Sequence, residues 1–521
     1  MSLKKNILAN YLGQGWSAVM GLAFIPLYIQ YLGMEAYGLI GLFAVMQAWM
    51  ALLDMGMSPT LNREMARFSA GAHSPQSIRD LLRSLEVICF GIAALIALGV
   101  WAASSYLASD WLKVDKLPVA VVAQAFSVMA FVVALRFVEG IYRGALFGLQ
   151  RQVWYNAVNA ILATMRHGGA FVVLAWVSPT IQAFFLWQAI VSLMCVGVFA
   201  AGVYGVLPKS PLSARFSPVA LAGVWKFAKG MIGITFLALL LTQVDKVLLS
   251  RLLSLESFGY YSLAATIAGA LYIIVAPISQ AIYPYMIELA TQEDETQLIA
   301  VYHRGAQLIT ILIAPAMMLL SFFAGGVMFM WSGNVAIAEN VAPILSALAL
   351  GTFLHGLMSM PYQLQLAQGW TSLAIKTNIV AVMLFIPAIF WVVPRYGAMG
   401  AAWLWLALNM GYVLIGVQMM HRRLIQDEKW RWYFADVFLP LSGAIGVMLL
   451  ARLIQPANYQ SRLEWFVFLL ITGCLALAIS IALAGQIRKK LLLAISSCCA
   501  AFLNQREPGI ICSMIHRIRK L

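Results

Sequence analysis

Fourteen apolar segments, each about as long as a helix needs to cross hydrocarbon, govern what this 521-residue chain can fold into. With a window of about 20 residues they fall at 7–31, 37–60, 84–107, 119–142, 155–177, 181–205, 230–253, 259–287, 304–330, 342–367, 377–394, 398–420, 434–455 and 464–487. Inside a bilayer every backbone N–H and C=O must find a partner in the protein, and an α-helix supplies those partners within one segment. The sequence therefore reads as an all-α polytopic membrane protein with about 14 transmembrane helices. Composition agrees, with 62% hydrophobic and only 10% charged residues; soluble domains have roughly 45–50% and 25%. The opening MSLKKNILANYLGQGW runs apolar well past a signal-peptide core and lacks a small-residue cleavage pattern, so it reads as a retained first helix.

A net charge of +14 raises the question of nucleic acid, and the placement of the charge answers it. With the N-terminus in the cytoplasm, 25 Lys and Arg fall on the cytoplasmic side and 6 on the other, while Arg136, Arg166 and Lys246 lie within spans. That is a positive-inside bias. It predicts cytoplasmic N- and C-termini and anionic lipid as the electrostatic partner, with no nucleic acid needed. The six cysteines (89, 195, 474, 498, 499 and 512) form no CxxC, so neither a disulfide framework nor a zinc site is expected.

No hydrophilic stretch exceeds roughly 25 residues, which leaves no room for a soluble catalytic domain. There is no GxxxxGK[ST], HExxH, GxSxG or DxD. The expectation is a non-enzyme with no metal and no cofactor, apart from a possible coupling ion, H+ or Na+. After Arg488 the tail is basic and carries LLLAISSCCAAFL, which is too short to span and reads as an interfacial segment.

Two weak internal echoes suggest a duplication. YLGMEAYGLI (31–40) resembles LLSLESFGYY (252–261) at an offset of 221, and LFGLQRQ (146–152) resembles LQLAQGW (364–370) at 218. Because six spans is an even number, the two copies run the same way through the membrane. The expected organisation is a six-helix lobe at 1–205, a second at 206–420, two additional helices at 421–487 and a basic tail at 488–521. Prolines 26, 277, 284, 315, 361 and 387 fall within spans, where bends are tolerated if neighbours satisfy the freed carbonyls.

An ionised side chain at mid-membrane costs about 2.5 to over 10 kcal/mol, so those retained face a cavity or a partner. Arg166, followed by His167, lies near the middle of the fifth span; it either lines a polar cavity or belongs to a structural ion pair. Arg136, Glu139 and Arg143 share one face of the fourth span, either as a cationic track or with Glu139–Arg143 paired internally. Asp245 and Lys246 sit in the seventh span. Neighbours on a helix diverge by about 100°, so each is expected to find its partner elsewhere. Asp54 at the end of the second span and His355 in the tenth are further polar exceptions; for His355 a hydrogen-bonded core role competes with proton relay. The buried charge leans positive, which suits an anionic ligand, above all a phosphate held by arginine.

The segments FIPLYIQYLGMEAYGLIGLFAVMQAWMALLDMGMSPTLNREMAR (24–67), RGALFGLQRQ (143–152) and TQVDKVLLSRLLSLESFGYYSLA (242–264) resemble the polysaccharide-transporter family of O-antigen and exopolysaccharide flippases, in the multidrug/oligosaccharidyl-lipid/polysaccharide exporter superfamily. The resemblance implies two pseudo-symmetric six-helix lobes around a central cationic cavity, working by ion-driven alternating access as a monomer in the bacterial inner membrane. It implies an undecaprenyl-pyrophosphate-linked oligosaccharide as substrate, with a polysaccharide polymerase or glycosyltransferases as further partners. Arg166, Lys246, Arg136 and Arg143 would then bind substrate, and Asp245, Glu139, Asp54, His167 and His355 would serve ion coupling or charge pairing. Lipid II flippases and multidrug cation exporters are the competing relatives; the uncharged first span, GWSAVMGLAFIPLYI, disfavours the former.

Overall fold

A computed structural model describes residues 3–488, apart from 55, 70, 209–212, 219–220, 222–239, 241, 371 and 457–458. The expected interfacial tail segment and the first half of the seventh span lie outside the described residues. Packing divides the chain into two compact units, Met1–Ser262 with Ile389–Ala398, and Leu263–Ala388 with Met399–Leu521.

The first unit holds α1 (Leu3–Ala23), α2 (Ile25–Leu53), α3 (Met57–Ser69), α4 (Pro75–Tyr106), α5 (Val119–Gly148), α6 (Gln152–Trp176), α7 (Ile181–Val206), α8 (242–252) and the start of α9 (Leu255–Gly269). The second holds the rest of α9, then α10 (Tyr272–Thr291), α11 (Glu295–Phe322), α12 (Ala324–Ser332), α13 (Val335–Leu357), α14 (Ser359–Ala367), most of α15 (Ser372–Gly411), α16 (Val417–Leu424), α17 (Lys429–Arg431), α18 (Leu439–Arg452) and α19 (Arg462–Leu483). Among the described residues ten helices are long and apolar enough to cross a membrane, which makes this a multi-pass membrane protein. One of the ten, Ser372–Leu424, takes in two expected spans on either side of Gly397. The breaks inside continuous helices fall at glycines: Gly33 (φ 81°) divides α2 where the first expected span gives way to the second, and Gly397 (φ 58°) divides α15. Pro277 and Pro284 stay inside α10, and Pro315 inside α11.

In the first unit α5 is the central helix and packs on α3, α4 and α7. Its inward face (Phe137, Ile141, Tyr142, Ala145) meets Leu82, Leu85 and Cys89 of α4 and Cys195 and Phe199 of α7 in one apolar core. α1 docks on α6 through polar groups instead. Asn6 donates to Gln150 (3.0 Å), Asn10 to Gln152 (3.2 Å), Asn156 to Asn10 (2.6 Å), Trp16 to Thr164 (2.9 Å) and Asn159 to Ser17 (3.1 Å). Between two helices in a membrane, small residues and side-chain hydrogen bonds take the place of the hydrophobic effect.

The 221-residue echo has a physical counterpart. A Cβ on Gly38 would overlap the carbonyl oxygen of Leu255, and one on Gly259 would lie 2.6 Å from that of Met34. A Cβ on Gly41 would lie 2.6 Å from the Ser262 hydroxyl. Positions 34 and 255, 38 and 259, and 41 and 262 are each 221 apart, so the α2–α9 crossing joins two copies of one motif through reciprocal contacts. The motif's two glutamates converge as well. Glu35 accepts the backbone N–H groups of Asp115 (2.7 Å), Lys116 (2.9 Å) and Leu117 (3.0 Å), and Glu256 pairs with the Lys116 ammonium. That hydrogen bond and charge hold the Lys116 pKa above its usual range, so the contact persists through neutral pH and is lost only as pH rises through the raised value.

Gly259→Leu should drive a side chain into the α2 backbone and cost about 1–3 kcal/mol or more, read as a lowered Tm of the detergent-purified protein. Gly91→Leu, at a position with nothing within 4 Å, should leave Tm unchanged.

Candidate cationic cavity

Within the first unit α1, α2, α3, α5 and α6 enclose a cavity of about 820 Å³. Arg136, three to four residues short of the Glu139/Gly140 turn of α5, points across the core. Its Nη1 donates to Oε1 of Gln47 on α2 (2.7 Å) and its Nη2 to Oε1 of Gln188 on α7 (3.0 Å). The guanidinium also stands 5.2 Å from the centroid of the Phe43 ring, a cation–π arrangement that strengthens with desolvation. Arg166, on α6, lies 3.6 Å from Oε2 of Glu139 and donates to Sγ of Cys195 (3.1 Å). Both arginines keep a buried Nε without a hydrogen-bond partner. A guanidinium has five donors in a fixed fork, so each retains capacity for an anion.

One of the two expectations for the fourth span, the Glu139–Arg143 pair, is corrected. Glu139 pairs with Arg166 across helices, and no Glu139–Arg143 ion pair within 4.0 Å occurs among the described residues. Arg143 is exposed to the cavity and hydrogen-bonds Tyr155. His167 also lines the cavity, and the Tyr28 hydroxyl donates to its backbone carbonyl (2.9 Å). Asp54 is used locally: its carboxylate accepts the Ser58 N–H (3.2 Å) and hydroxyl (2.7 Å), capping the start of α3 while bordering the cavity. Neutral hydrogen-bonding groups complete the wall, among them Gln14, Ser17, Asn62 and Asn159.

Six of the nine residues singled out from the sequence thus meet in one cavity: Arg136, Arg143, Arg166, Glu139, Asp54 and His167. The other three lie elsewhere. Asp245 accepts a hydrogen bond from Tyr261 (3.0 Å), and Lys246 lies 3.9 Å from Asp245 while donating to the carbonyl of Thr242 (2.7 Å). Each thus has a hydrogen-bond partner elsewhere, as expected, and the two side chains also come within 3.9 Å of one another. A lysine has four methylenes, enough to bend its ammonium back past the 100° divergence. His355 is in the second unit, held by Asn409 (3.0 Å) and ring contacts with Tyr272 and Trp405. Sequence reasoning missed Gln47 and Gln188, the groups that make Arg136 tolerable; two uncharged glutamines inside apolar helices were the available signal.

A model of the family described as "Polysaccharide biosynthesis protein" matches residues 3–290. The chain is 20% identical over 410 residues, 78% of its length and 94% of the relative's, to a Shigella flexneri protein named "Putative O-antigen transporter". Among solved structures, the lipid II flippase MurJ in an inward closed conformation aligns with a TM-score of 0.64 at 12% identity, covering 92% of this chain and 98% of that one. An inward-facing multidrug resistance MATE family transporter of the MOP superfamily aligns at 0.58 and 13% identity, over 81% and 95%. At such identities the likeness to MurJ and the MATE transporter is one of fold.

Asp54→Ala should loosen α3 by about 1 kcal/mol, seen as faster hydrogen exchange over residues 57–69, whereas Asp54→Ser, itself a good cap, should not. Loss of transport in the serine variant with α3 intact would instead assign Asp54 to ion coupling.

Proposed function

Because the chain belongs to the polysaccharide biosynthesis protein family, we propose that it is a flippase that carries an undecaprenyl-pyrophosphate-linked oligosaccharide across the bacterial inner membrane for surface polysaccharide assembly. The observation that carries the reading is the cavity itself. Two partly satisfied guanidiniums, Arg136 and Arg166, with Arg143 at the mouth, face space lined by neutral amides and hydroxyls. A pyrophosphate would take the open guanidinium donors, and the amides would meet sugar hydroxyls. Transport would be by alternating access, driven by an H+ or Na+ gradient, with both termini cytoplasmic and the protein a monomer. Glu139 is the carboxylate best placed to respond: anion binding at Arg166 competes with it for the same guanidinium. Lys246 and Asp245 fit a supporting role, since they are engaged with the backbone, with each other and with Tyr261. A polymerase or glycosyltransferase would receive or supply the lipid-linked glycan.

The fold shared with MurJ keeps lipid II as a second reading, because its pyrophosphate would suit the same arginines. A cationic drug suits them poorly.

Deleting the gene in its host and re-expressing wild type or Arg166→Ala tests the reading. Wild type should restore surface polysaccharide, and Arg166→Ala at equal abundance should reduce it about tenfold or more, the effect of losing a charged hydrogen bond, with lipid-linked glycan trapped on the cytoplasmic face. Intact surface glycan combined with hypersensitivity to lipophilic cations would overturn it in favour of drug export.

A further inference from the structure

The second unit contains a smaller cavity, of about 100 Å³, between α13, α14, α15 and the turn at Tyr412–Gly416. The 218-residue echo maps it onto the cationic cavity. Phe137 falls on His355, Gly140 on Met358, Gly144 on Tyr362, Phe147 on Gln365, Tyr155 on Leu373 and Asn159 on Thr377, and every one of these residues lines its own unit's cavity. The two cavities are thus repeat-related versions of one site.

Their chemistry has diverged in one direction. The positions equivalent to Arg136, Glu139, Arg143, Arg166 and His167 are Leu354, Leu357, Pro361, Leu384 and Phe385. No aspartate, glutamate, lysine or arginine lines the second cavity. Its lining combines apolar Met358, Leu373 and Ala374 with the His355 imidazole and neutral hydrogen-bonding groups. The Tyr412 hydroxyl donates to Oδ1 of Asn378 (2.9 Å). The Thr377 hydroxyl donates to the Leu373 carbonyl (2.9 Å), leaving its oxygen free to accept. Gln365 is only 4% exposed, and its Oε1 has no hydrogen-bond partner. A buried acceptor left unpaired carries a desolvation cost that a ligand hydroxyl would remove. Tyr362 and Tyr412 add aromatic surface beside these groups.

We propose that this cavity is a subsite for one neutral sugar ring of the transported glycan, the uncharged counterpart of the pyrophosphate site; the inference rests on the function proposed above. At about 30 Å³ per water, 100 Å³ is the space of about three waters, so the cavity takes the hydroxyl-bearing edge of a ring while the rest of the ring stands outside it. A phosphate would be unpaired there, and a drug cation would find no carboxylate. Gln365 and Thr377 accept from ring hydroxyls, Asn378 offers its amide N–H, and the tyrosines cover the apolar face of the ring.

The test uses the full chain in lipid nanodiscs and two probes, read by saturation-transfer NMR for the first and by binding for the second. The first is the phosphate-free oligosaccharide released by mild acid from the host's own polysaccharide. Saturation transfer to it should be retained in Arg166→Ala and weakened about tenfold in Gln365→Leu. Asn378→Ala should weaken it as well, which guards against a Gln365 variant that fails to fold; monodispersity on size exclusion checks both. Transfer absent from wild type, or unchanged in both cavity variants, overturns the sugar subsite. The second probe, sugar-free undecaprenyl pyrophosphate, should bind wild type and Gln365→Leu but not Arg166→Ala. Its failure to bind wild type would overturn the pyrophosphate reading of the first cavity while leaving the sugar result to stand on its own.

Discussion

A guanidinium surrounded by hydrocarbon must find its hydrogen-bond partners in the protein, and the first unit is organised around meeting that requirement for Arg136 and Arg166. Arg136 draws glutamines from α2 and α7 onto α5, and Arg166 ties α6 to Glu139 of α5 and Cys195 of α7. Four helices are held in register by two side chains. Each arginine still keeps a buried Nε with no hydrogen-bond partner. A fully satisfied arginine has nothing left to offer a ligand.

The apolar runs made the helices and their membrane setting legible from sequence, because spanning hydrocarbon imposes a length and a polarity that composition cannot hide. The charged face of α5 was legible for the same reason: Arg136, Glu139 and Arg143 follow helical spacing in a segment where any charge stands out. What was not legible was which helix each charge would meet. Helical spacing ranks neighbours within one helix, and by that measure Glu139 belongs with Arg143; the close approach of α6 gives it Arg166 instead. The Asp245–Lys246 contact escaped for the opposite reason. Backbone divergence sets where two side chains start, and one as long as lysine can still curl to within 3.9 Å of its neighbour. Asp54 shows a third limit, since a carboxylate that caps the next helix looks the same in sequence as one that titrates in a cavity.

The ladder between α1 and α6 was readable and went unread. Asn6, Asn10, Gly13 and Ser17 recur at intervals of three and four, a polar stripe along a helix that must otherwise face lipid or protein. Gly13 lies so close to Asn156 that a Cβ there would overlap it. In the second unit the corresponding information lay in the pairing of positions 218 apart. Each copy alone shows scattered polar residues; laid over one another, they show the same wall with its ionisable groups exchanged for neutral ones.

At the α2–α9 crossing, two backbones meet over Gly38 and Gly259, with the side chains of Leu255 and Met34 packed against the glycines. Interdigitated helices resist rotation because each knob must climb out of its hole. A glycine presents no knob of its own, so each of these positions is a hole that the facing Leu255 or Met34 fills. Set off to one side, Glu35 grips the backbone of residues 115–117 and Glu256 holds Lys116. Close approach and anchoring are therefore assigned to different residues of one sequence motif, so a substitution at either glutamate would release the backbone at 115–117 while leaving the helix crossing closed.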